Sequence, residues 1–306
     1  MKNTPIAVGF LLLLLCSGSR TTRTQSSPAE IQDPGCITET FITPHLGGAQ
    51  VKFNVILPRD YAFGERRFPV LYLLHGFGGR YSDWCTYSHI VEYAKPYEEI
   101  IVMPEGANSW YVNNYKNPKM QWEDYIIEDL IPHVDAHYRT IASRHGRAVA
   151  GLSMGGYGAL FLGLKHHDTF AAVASLSGVV ASANLPRWDE PLVETEANNK
   201  AYDGIRNALA EDFGPQNNPA RDGEDPFLLV RKLTQAQCPD LYISVGAQDN
   251  LANENLEFAR LLHSLKIIYG FTEVPGKHEW PVWDSQIKTV LLLQSQEIGT
   301  RPASKK

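Results

Sequence analysis

The sequence predicts an α/β protein in which helices cover both faces of a mostly parallel sheet. Strand-length apolar runs alternate along the chain with segments of helical periodicity, an order typical of parallel sheets with helical crossovers. Runs such as Val70–Leu74 are continuously apolar, as strands buried on both faces are. The chain has 306 residues, 43% of them hydrophobic, which is enough for one domain with a large core.

The predicted elements follow in chain order. The first strand, Val51–Leu57, alternates between apolar and polar residues, as an edge or antiparallel strand would. The later predicted strands are mostly apolar: Val70–Leu74, Ile100–Met103, Ala148–Ala150, Ala172–Leu176, Leu241–Val245 and Ile267–Val274. Helical periodicity marks the segments Tyr125–Tyr138, Gly156–Lys165, Asn253–Leu265 and Val282–Leu293.

A long polar connection, residues 179–238, separates two predicted core strands. A structureless loop of that length is uncommon in a compact domain, so we expect short helices in it and a position over one end of the sheet. We expect one folded domain over residues 36–297, with a flexible polar leader at 20–35 and a polar tail at 298–306.

Residues 1–19 have the pattern of an export signal. Lys2 precedes the apolar run Ile6–Leu15, which is too short to span a bilayer and fits the hydrophobic part of a signal peptide. We therefore expect a secreted or periplasmic protein without stable membrane insertion. Lipidation at Cys16 is the alternative, which Leu15 disfavours because a small residue usually stands before a lipidated cysteine.

Cysteine usage and charge bound the chemistry. Without the signal, Cys36, Cys85 and Cys238 remain, which allows one disulfide in an oxidising compartment, and the sequence does not decide the pair. The chain has no C-x-x-C pair and no H-E-x-x-H run, so we expect no metal and no other cofactor. A net charge of −6 without a basic stripe argues against nucleic acid as a partner. The oligomeric state is left open.

The segment Arg147–Gly156 contains the pattern G-x-S-x-G around Ser153. An apolar strand precedes the pattern and a helical segment follows it, the context in which such a turn exposes its serine at the sheet edge. We expect that side chains at Gly151 and Gly155 would collide with a neighbouring strand or helix. Ser153 is therefore the predicted nucleophile, and the alternative is a glycine-rich turn without a catalytic role.

A serine hydroxyl needs an adjacent base, and the order serine, acid, histidine is typical of this kind of turn. Asp249 follows one late predicted strand and His278 follows the last, so both should lie at the same sheet edge as Ser153. We predict that His278 takes the serine proton and that Asp249 orients His278. The rival acids are Asp225, Asp240 and Glu254. Asp240 precedes its strand, and Glu254 lies a turn too late.

An oxyanion also needs hydrogen-bond donors. The H-G-F-G-G loop, His75–Gly79, follows a buried strand and can turn backbone N–H groups toward the serine. We predict that the amides of Phe77 and Met154 are the two donors, the second of them at a helix N-terminus. His75 ends its strand early in the chain, so we interpret it as an anchor of the loop rather than as a base.

Aromatic residues near the predicted site are candidates for substrate contacts. Trp110, Tyr111 and Tyr115 follow the strand Ile100–Met103, and Trp280 follows the predicted base. Such rings can stack on an aromatic acyl group or on a sugar. Aromatics at such spacing are more often core residues, which is our interpretation of Trp283.

From about Phe41 to Leu293 the chain resembles the esterase D group of α/β-hydrolases. The segments that carry the resemblance are His75–Gly79 with Trp84, Gly151–Gly156, Phe213–Pro215 with Asp225–Phe227, Gly246–Asp249, and His278–Trp280 with Trp283–Asp284. The resemblance implies an α/β-hydrolase fold and assigns the second oxyanion amide to Phe77. The group includes S-formylglutathione hydrolases, tributyrin-type esterases, feruloyl and acetyl xylan esterases, and mycolyltransferases.

The sequence thus predicts a secreted serine carboxylic ester hydrolase that works through an acyl-enzyme intermediate. The expected substrates are short-acyl or aromatic-acyl esters, such as acetyl or feruloyl esters, either small or linked to a polysaccharide. A thioesterase of the S-formylglutathione hydrolase type is an alternative that the export signal disfavours. An acyltransferase with the same triad and a non-catalytic binding protein are the others, and the intact triad disfavours the last.

Overall fold

The computed structural model describes residues 35–184, 196–215 and 218–298. These residues form an eight-stranded sheet with the order β1-β2-β4-β3-β5-β6-β7-β8. The strands are β1 (Ile37–Thr43), β2 (Ala49–Ile56), β3 (Val70–Leu74), β4 (Ile100–Pro104), β5 (Arg147–Leu152), β6 (Ala172–Leu176), β7 (Asp240–Gly246) and β8 (Tyr269–Val274). β2 pairs antiparallel with both β1 and β4, and the other neighbours are parallel. The mostly parallel sheet predicted from the sequence is confirmed. The predicted export signal, with Cys16, lies outside the described residues.

Helices connect the strands and cover the sheet. They are α1 (Asp83–Tyr87), α2 (Ile90–Ala94), α3 (Trp122–Asp124), α4 (Ile131–His137), α5 (Met154–Lys165), α6 (Glu196–Asp212), α7 (Pro226–Leu229), α8 (Ala252–Ser264) and α9 (Trp280–Glu297). A π-helical stretch, Tyr125–Leu130, joins α3 to α4. In the part of the chain that the structure describes, no helix is both long and apolar enough to cross a membrane.

Consecutive side chains of a central strand lie on opposite faces of the sheet and belong to two different apolar clusters. Tyr72 of β3 belongs to a buried cluster with Phe161 of α5 and Phe258 of α8. Leu73, the next residue, belongs to a second cluster with Trp84 of α1 and Ile287 of α9. This alternation follows from the two-residue period of a strand, and it explains why these strands are apolar on both faces. Burial of each such side chain contributes about 1.5–3 kcal/mol to folding.

Strand β1 was not predicted from the sequence. It pairs along its whole length with β2, from Ile37 opposite Val55 to Thr43 opposite Ala49. Its residues alternate Ile, Thr, Glu and Phe at the open edge of the sheet, and Ile42 is 68% exposed. A weakly amphipathic, half-exposed edge strand gives little apolar signal, although its β-branched residues favour the conformation.

The connection over residues 179–238 contains helices in its described parts, as predicted, among them α6 and α7. α7 is short, but α6 has 17 residues and is longer than the short helices expected. Arg221 is buried and donates to the carbonyl groups of Ala183, at 3.0 Å, and of Phe213, at 3.3 Å. The Tyr157 hydroxyl on α5 donates to the Glu224 carbonyl at 2.7 Å. These bonds hold the insertion together and fix it against α5, the helix that follows Ser153.

Candidate active site

Ser153 lies in the turn between β5 and α5 with φ 54° and ψ −118°. Its amide donates to the Leu176 carbonyl of β6 at 3.0 Å, which fixes the turn to the sheet. A Cβ atom at Gly151 would lie 2.3 Å from the Gly155 carbonyl oxygen, and one at Gly155 would lie 2.5 Å from the His75 carbonyl oxygen. No side chain fits at those distances, which is the collision expected for this turn.

The three side chains predicted as nucleophile, base and acid form one hydrogen-bonded row. His278 Nε2 lies 2.9 Å from Ser153 Oγ, and His278 Nδ1 lies 2.9 Å from Asp249 Oδ2. The second carboxylate oxygen of Asp249 accepts the Leu251 amide at 2.9 Å. Loops after β5, β7 and β8 bring the three together, because the carboxyl ends of parallel strands share one sheet edge.

The rival acids lie elsewhere. Asp240 is exposed at the first position of β7, and Glu254 is buried in α8. Asp225 caps α7 and accepts the Phe227 amide at 2.8 Å. None of these carboxylates is among the hydrogen-bond partners of His278 in the described part of the chain.

The surroundings of Asp249 favour its ionised form. Burial alone would raise the pKa of this carboxyl, but the hydrogen bond and positive charge of His278 oppose burial, as do the Leu251 amide and the Ser177 hydroxyl. The net effect is a pKa below the ordinary value for aspartate. An ionised Asp249 accepts the Nδ1–H of His278, which leaves Nε2 free to take a proton from Ser153.

The His75–Gly79 loop lies directly against the nucleophile. A Cβ atom at Gly76 would lie 3.3 Å from Ser153 Cβ. The Gly79 amide donates to the Gly76 carbonyl at 3.0 Å, and Gly78 has φ +75°, so the loop is a tight turn that needs glycine at this position. Within the described residues the amides of Phe77 and Met154 have no hydrogen-bond partner. Two backbone donors are therefore available beside Ser153.

His75 holds that loop in place. Its Nδ1 atom lies 2.8 Å from the Gly76 carbonyl, its Nε2 atom accepts the Gly106 amide at 2.9 Å, and its side chain is buried. Glu105 lies beside it, with Oε1 3.5 Å from His75 Nε2. Burial would raise the pKa of this carboxyl, but the neighbouring His75 and the backbone amides that Glu105 accepts lower that pKa below its ordinary value. The structure thus places His75 as an anchor of the loop.

The four predicted aromatic contacts occupy different environments. Trp110 is buried and packs against Phe77 with ring centroids 5.9 Å apart. Tyr111 is fully buried and its hydroxyl donates to the His75 carbonyl at 3.0 Å, so it supports the loop from below. The predicted direct substrate contacts of Trp110 and Tyr111 are therefore wrong, because rings with almost no exposed surface present nothing to a substrate.

The other two aromatics are more accessible. Tyr115 is 56% exposed, and its amide donates to the Asp212 carbonyl at the end of α6 at 2.9 Å. Trp280 packs edge-on against Trp283 at 5.4 Å, and Trp283 packs edge-on against His278 at 4.9 Å. Trp280 is therefore linked to the base through a buried ring, and Trp283 is a core residue as interpreted.

Two residues that hold the site were not predicted from the sequence. Asn108 Oδ1 accepts the Gly78 amide at 2.6 Å, and Gln248 Oε1 accepts the Gly276 amide at 2.7 Å. The partners lie 30 and 28 residues apart in the chain, and nothing in the local pattern connects them. Among the described residues, no group of three or more His, Cys, Asp or Glu side chains is placed to hold a metal ion.

A serine with positive φ at a strand-to-helix turn is hydrogen-bonded to a histidine, which in turn lies beside a buried aspartate at the edge of an eight-stranded sheet; this arrangement is typical of α/β-hydrolases. The sequence model of the esterase family, described as "Putative esterase", matches residues 45–293. The chain belongs to this family.

Curated relatives agree with this assignment. Esterase Rv1288 of Mycobacterium tuberculosis is 37% identical over 258 residues, which cover 74% of this chain and 52% of that protein. The acetyl esterase of Caldicellulosiruptor saccharolyticus is 29% identical over 219 residues, which cover 71% of this chain and 79% of that protein. The chain spans about half the length of the Mycobacterium relative.

Solved structures share the fold. FphF, a fluorophosphonate-binding serine hydrolase of Staphylococcus aureus, superposes with a TM-score of 0.72 at 27% identity, covering 85% of this chain and 97% of that chain. A ferulic acid esterase superposes with a TM-score of 0.69 at 25% identity, covering 86% of this chain and 98% of that chain.

Proposed function

We propose that this protein is a serine carboxylic ester hydrolase that forms an acyl-enzyme intermediate on Ser153. The observation that carries the proposal is the row of Asp249, His278 and Ser153 beside the free amides of Phe77 and Met154. A nucleophile, a base, an orienting carboxylate and two oxyanion donors are the groups that acyl transfer requires.

The reaction follows from this geometry. His278 Nε2 takes the proton of Ser153 Oγ as the oxygen attacks the ester carbonyl carbon, and the carbonyl oxygen becomes an oxyanion held by the amides of Phe77 and Met154. Asp249 stabilises the imidazolium. The C–O bond to the alcohol then breaks, and His278 returns the proton to the leaving oxygen. Water repeats the sequence on the acyl-enzyme, which releases the carboxylic acid and restores Ser153.

We propose short-acyl or aromatic-acyl esters as substrates, small or linked to a polysaccharide. The names of the relatives support this class, since they include an acetyl esterase and a ferulic acid esterase. The half-buried ring of Phe77 in the oxyanion loop offers an apolar surface to an acyl group, and the buried rings of Trp110 and Phe213 pack in series behind it.

We propose that the protein acts outside the cytoplasm. The amino-terminal pattern of residues 1–19 supports this, and so does the disulfide between Cys36 and Cys85, because such bonds persist in oxidising compartments.

An acyltransferase is the second candidate function. It is supported by a relative named diacylglycerol acyltransferase/mycolyltransferase of Mycobacterium leprae, which is 25% identical and covers 91% of this chain. The site geometry is the same for both, and only the acceptor differs.

The experiment measures initial rates on nitrophenyl acetate and butyrate, methyl ferulate, acetylated xylan and S-formylglutathione. Wild-type turnover of oxygen esters that Ser153→Ala abolishes is the expected result, with one fluorophosphonate label at Ser153. A label elsewhere, or no turnover of any ester, contradicts the proposal. S-formylglutathione turnover far above every oxygen ester makes the chain a thioesterase, and faster consumption of ester with added alcohol acceptors makes it a transferase.

A further inference from the structure

The loop that carries the acid and the loop that carries the base are joined beyond the ends of their strands. The Ala247 amide donates to the Val274 carbonyl at 2.7 Å, and the Gln248 amide donates to the Gly276 carbonyl at 2.9 Å. The ladder between β7 and β8 therefore continues into the loops, toward Asp249 on one side and His278 on the other.

The side chain of Gln248 completes this junction. Its Oε1 atom accepts the Gly276 amide at 2.7 Å, so Gln248 binds both the N–H and the C=O of one residue. Gly276 has φ +133°, a conformation that side chains rarely adopt, and a Cβ atom at Gly246 would lie 2.5 Å from its carbonyl oxygen. Two glycines thus let the loops approach closely enough for the glutamine to clamp them.

Among the described residues, two side chains form hydrogen bonds between these loops. Asp249 holds the His278 ring, and its neighbour Gln248 holds the backbone two residues before His278. The His278 loop is exposed and the histidine side chain is 35% accessible, and besides Asp249 the ring contact that fixes it is the edge-on packing of Trp283. The backbone clamp and the ring contact therefore act together on where His278 Nε2 lies relative to Ser153 Oγ.

We propose that Gln248 is a positioning residue of the hydrolase reaction, which holds the His278 loop in the geometry that keeps Nε2 within hydrogen-bond distance of Ser153. This inference rests on the proposed function. Gln248 does not touch Ser153 or His278 among the described contacts, and it acts through the backbone of Gly276. Without the hydrogen bond from Gly276 to Gln248, His278 occupies additional positions in which it cannot take the serine proton. Such misplacement lowers the rate of the chemical step.

The test compares Gln248→Ala with the wild type on a nitrophenyl ester. We expect kcat to fall about three- to tenfold, the factor to which the net contribution of one hydrogen bond corresponds, with KM nearly unchanged. Gln248→Glu retains an oxygen that accepts the Gly276 amide, so it should restore kcat. The added carboxylate should also move the acidic limb of the pH–rate profile to higher pH, because a nearby negative charge favours the imidazolium.

The chain offers a matched control at the other end of β8. Gln235 is also exposed, and its Oε1 atom accepts the Ile268 amide at 2.6 Å, at the sheet edge opposite Ser153. Gln235→Ala removes the same kind of bond and should leave kcat and the pH profile unchanged.

Unchanged kcat in Gln248→Ala, or an equal fall in Gln235→Ala, overturns the positioning role. Failure of Gln248→Glu to restore kcat overturns it as well. Ester turnover by the wild type that Ser153→Ala abolishes keeps the proposed function in place in each of these cases, whereas a wild type without ester turnover removes the proposed function itself.

Discussion

Ser153 is held at φ 54° and ψ −118°, a backbone conformation that costs a residue with a side chain on the order of 1–3 kcal/mol. We predict that Ser153→Gly and Ser153→Ala both lose activity by several orders of magnitude, because each lacks the nucleophile. Glycine adopts this conformation without strain, so Ser153→Gly should also be more stable than Ser153→Ala by about 1 kcal/mol.

Urea unfolding of the two variants and ester hydrolysis by both measure these effects. Alanine is the matched control, since it lacks the hydroxyl but keeps a Cβ atom. Equal free energies of unfolding for the two variants would mean that the turn stores no strain at Ser153. A variant that keeps a tenth of the wild-type rate would remove Ser153 from the mechanism.

Glu99 is a buried carboxyl without a hydrogen-bond partner among the described residues, and burial raises its pKa to about 8. In the unfolded chain the same group ionises near its ordinary pKa of about 4. Because the folded pKa is raised, the stability of the fold is greatest below the unfolded pKa and falls as the pH rises toward the folded value. We predict that Glu99→Gln raises the free energy of unfolding on the order of 2 kcal/mol at pH 8 and changes it little at pH 4.

The neighbouring Glu98 is the control for this prediction, since it is also buried but pairs with Arg66 at 2.8 Å. Glu98→Gln should not stabilise the protein at pH 8. Urea unfolding at both pH values measures the effect, and a Glu99→Gln variant with the pH dependence of the wild type would contradict it.

The placement of Asp249 and His278 beside Ser153 was predictable at the level of single residues, because each follows the carboxyl end of a strand and parallel strands end at one sheet edge. The residues that hold the loops of the site in place were not predictable. Gln248 and Asn108 act through backbone amides of residues far along the chain, and their partners depend on how two loops approach. For Tyr111 the sequence predicted the position near the site but not the direction of the side chain, because nothing in the local pattern indicates that its ring is buried in the core.

At the scale of elements, the disulfide between Cys36 and Cys85 joins the residue before β1 to α1 across 49 positions. Closing a chain segment of that length stabilises a protein by about 4 kcal/mol in the chain-entropy description, and measured values are commonly about 2–4 kcal/mol. We predict that the double variant Cys36→Ser/Cys85→Ser loses about 2–4 kcal/mol in its free energy of unfolding.

A reductant should destabilise the wild type by a similar amount and leave the double variant unchanged. Cys238 is buried and free, so Cys238→Ser serves as the control that removes a thiol without a bridge and should keep its response to reductant. A wild type whose unfolding in urea is the same with and without reductant would show that the bond contributes nothing.

The strands show how far a sequence pattern predicts the bounds of an element. Strands buried on both faces, such as β3 and β6, match their predicted bounds, because continuous apolar runs have no competing interpretation in that context. β8 begins two residues later than predicted, at Tyr269, since Lys266 has φ +58° and Ile268 is bonded to Gln235 instead of to a strand. Tertiary contacts, which the local pattern does not contain, set that boundary.

At the scale of the whole molecule, three separate parts of the chain build the apolar wall beside the oxyanion loop. Phe77 comes from the loop after β3, Trp110 from the loop after β4, and Phe213 from the insertion, with ring centroids 5.9 Å and 6.4 Å apart along the series. Phe77 is half-buried, whereas Trp110 and Phe213 are buried behind it, so the position of the Phe77 ring depends on the size of the central ring, Trp110.

We predict that Trp110→Phe raises the ratio of kcat/KM for methyl ferulate to that for a butyryl ester by about threefold or more. A smaller ring behind Phe77 lets the Phe77 ring withdraw, which leaves room for a bulky acyl group while a short chain gains nothing. The indole Nε1 has no hydrogen-bond partner among the described residues, so the substitution breaks no such bond. Phe227→Leu is the control. Phe227 also belongs to the insertion but packs on Phe258 of α8, at 5.1 Å, so a change there should leave the ratio unchanged.

The measurement is kcat/KM of the wild type and both variants on the two esters. An unchanged ratio in Trp110→Phe would place the acyl group away from this wall, and an equal change in both variants would assign the effect to a general loosening of the insertion.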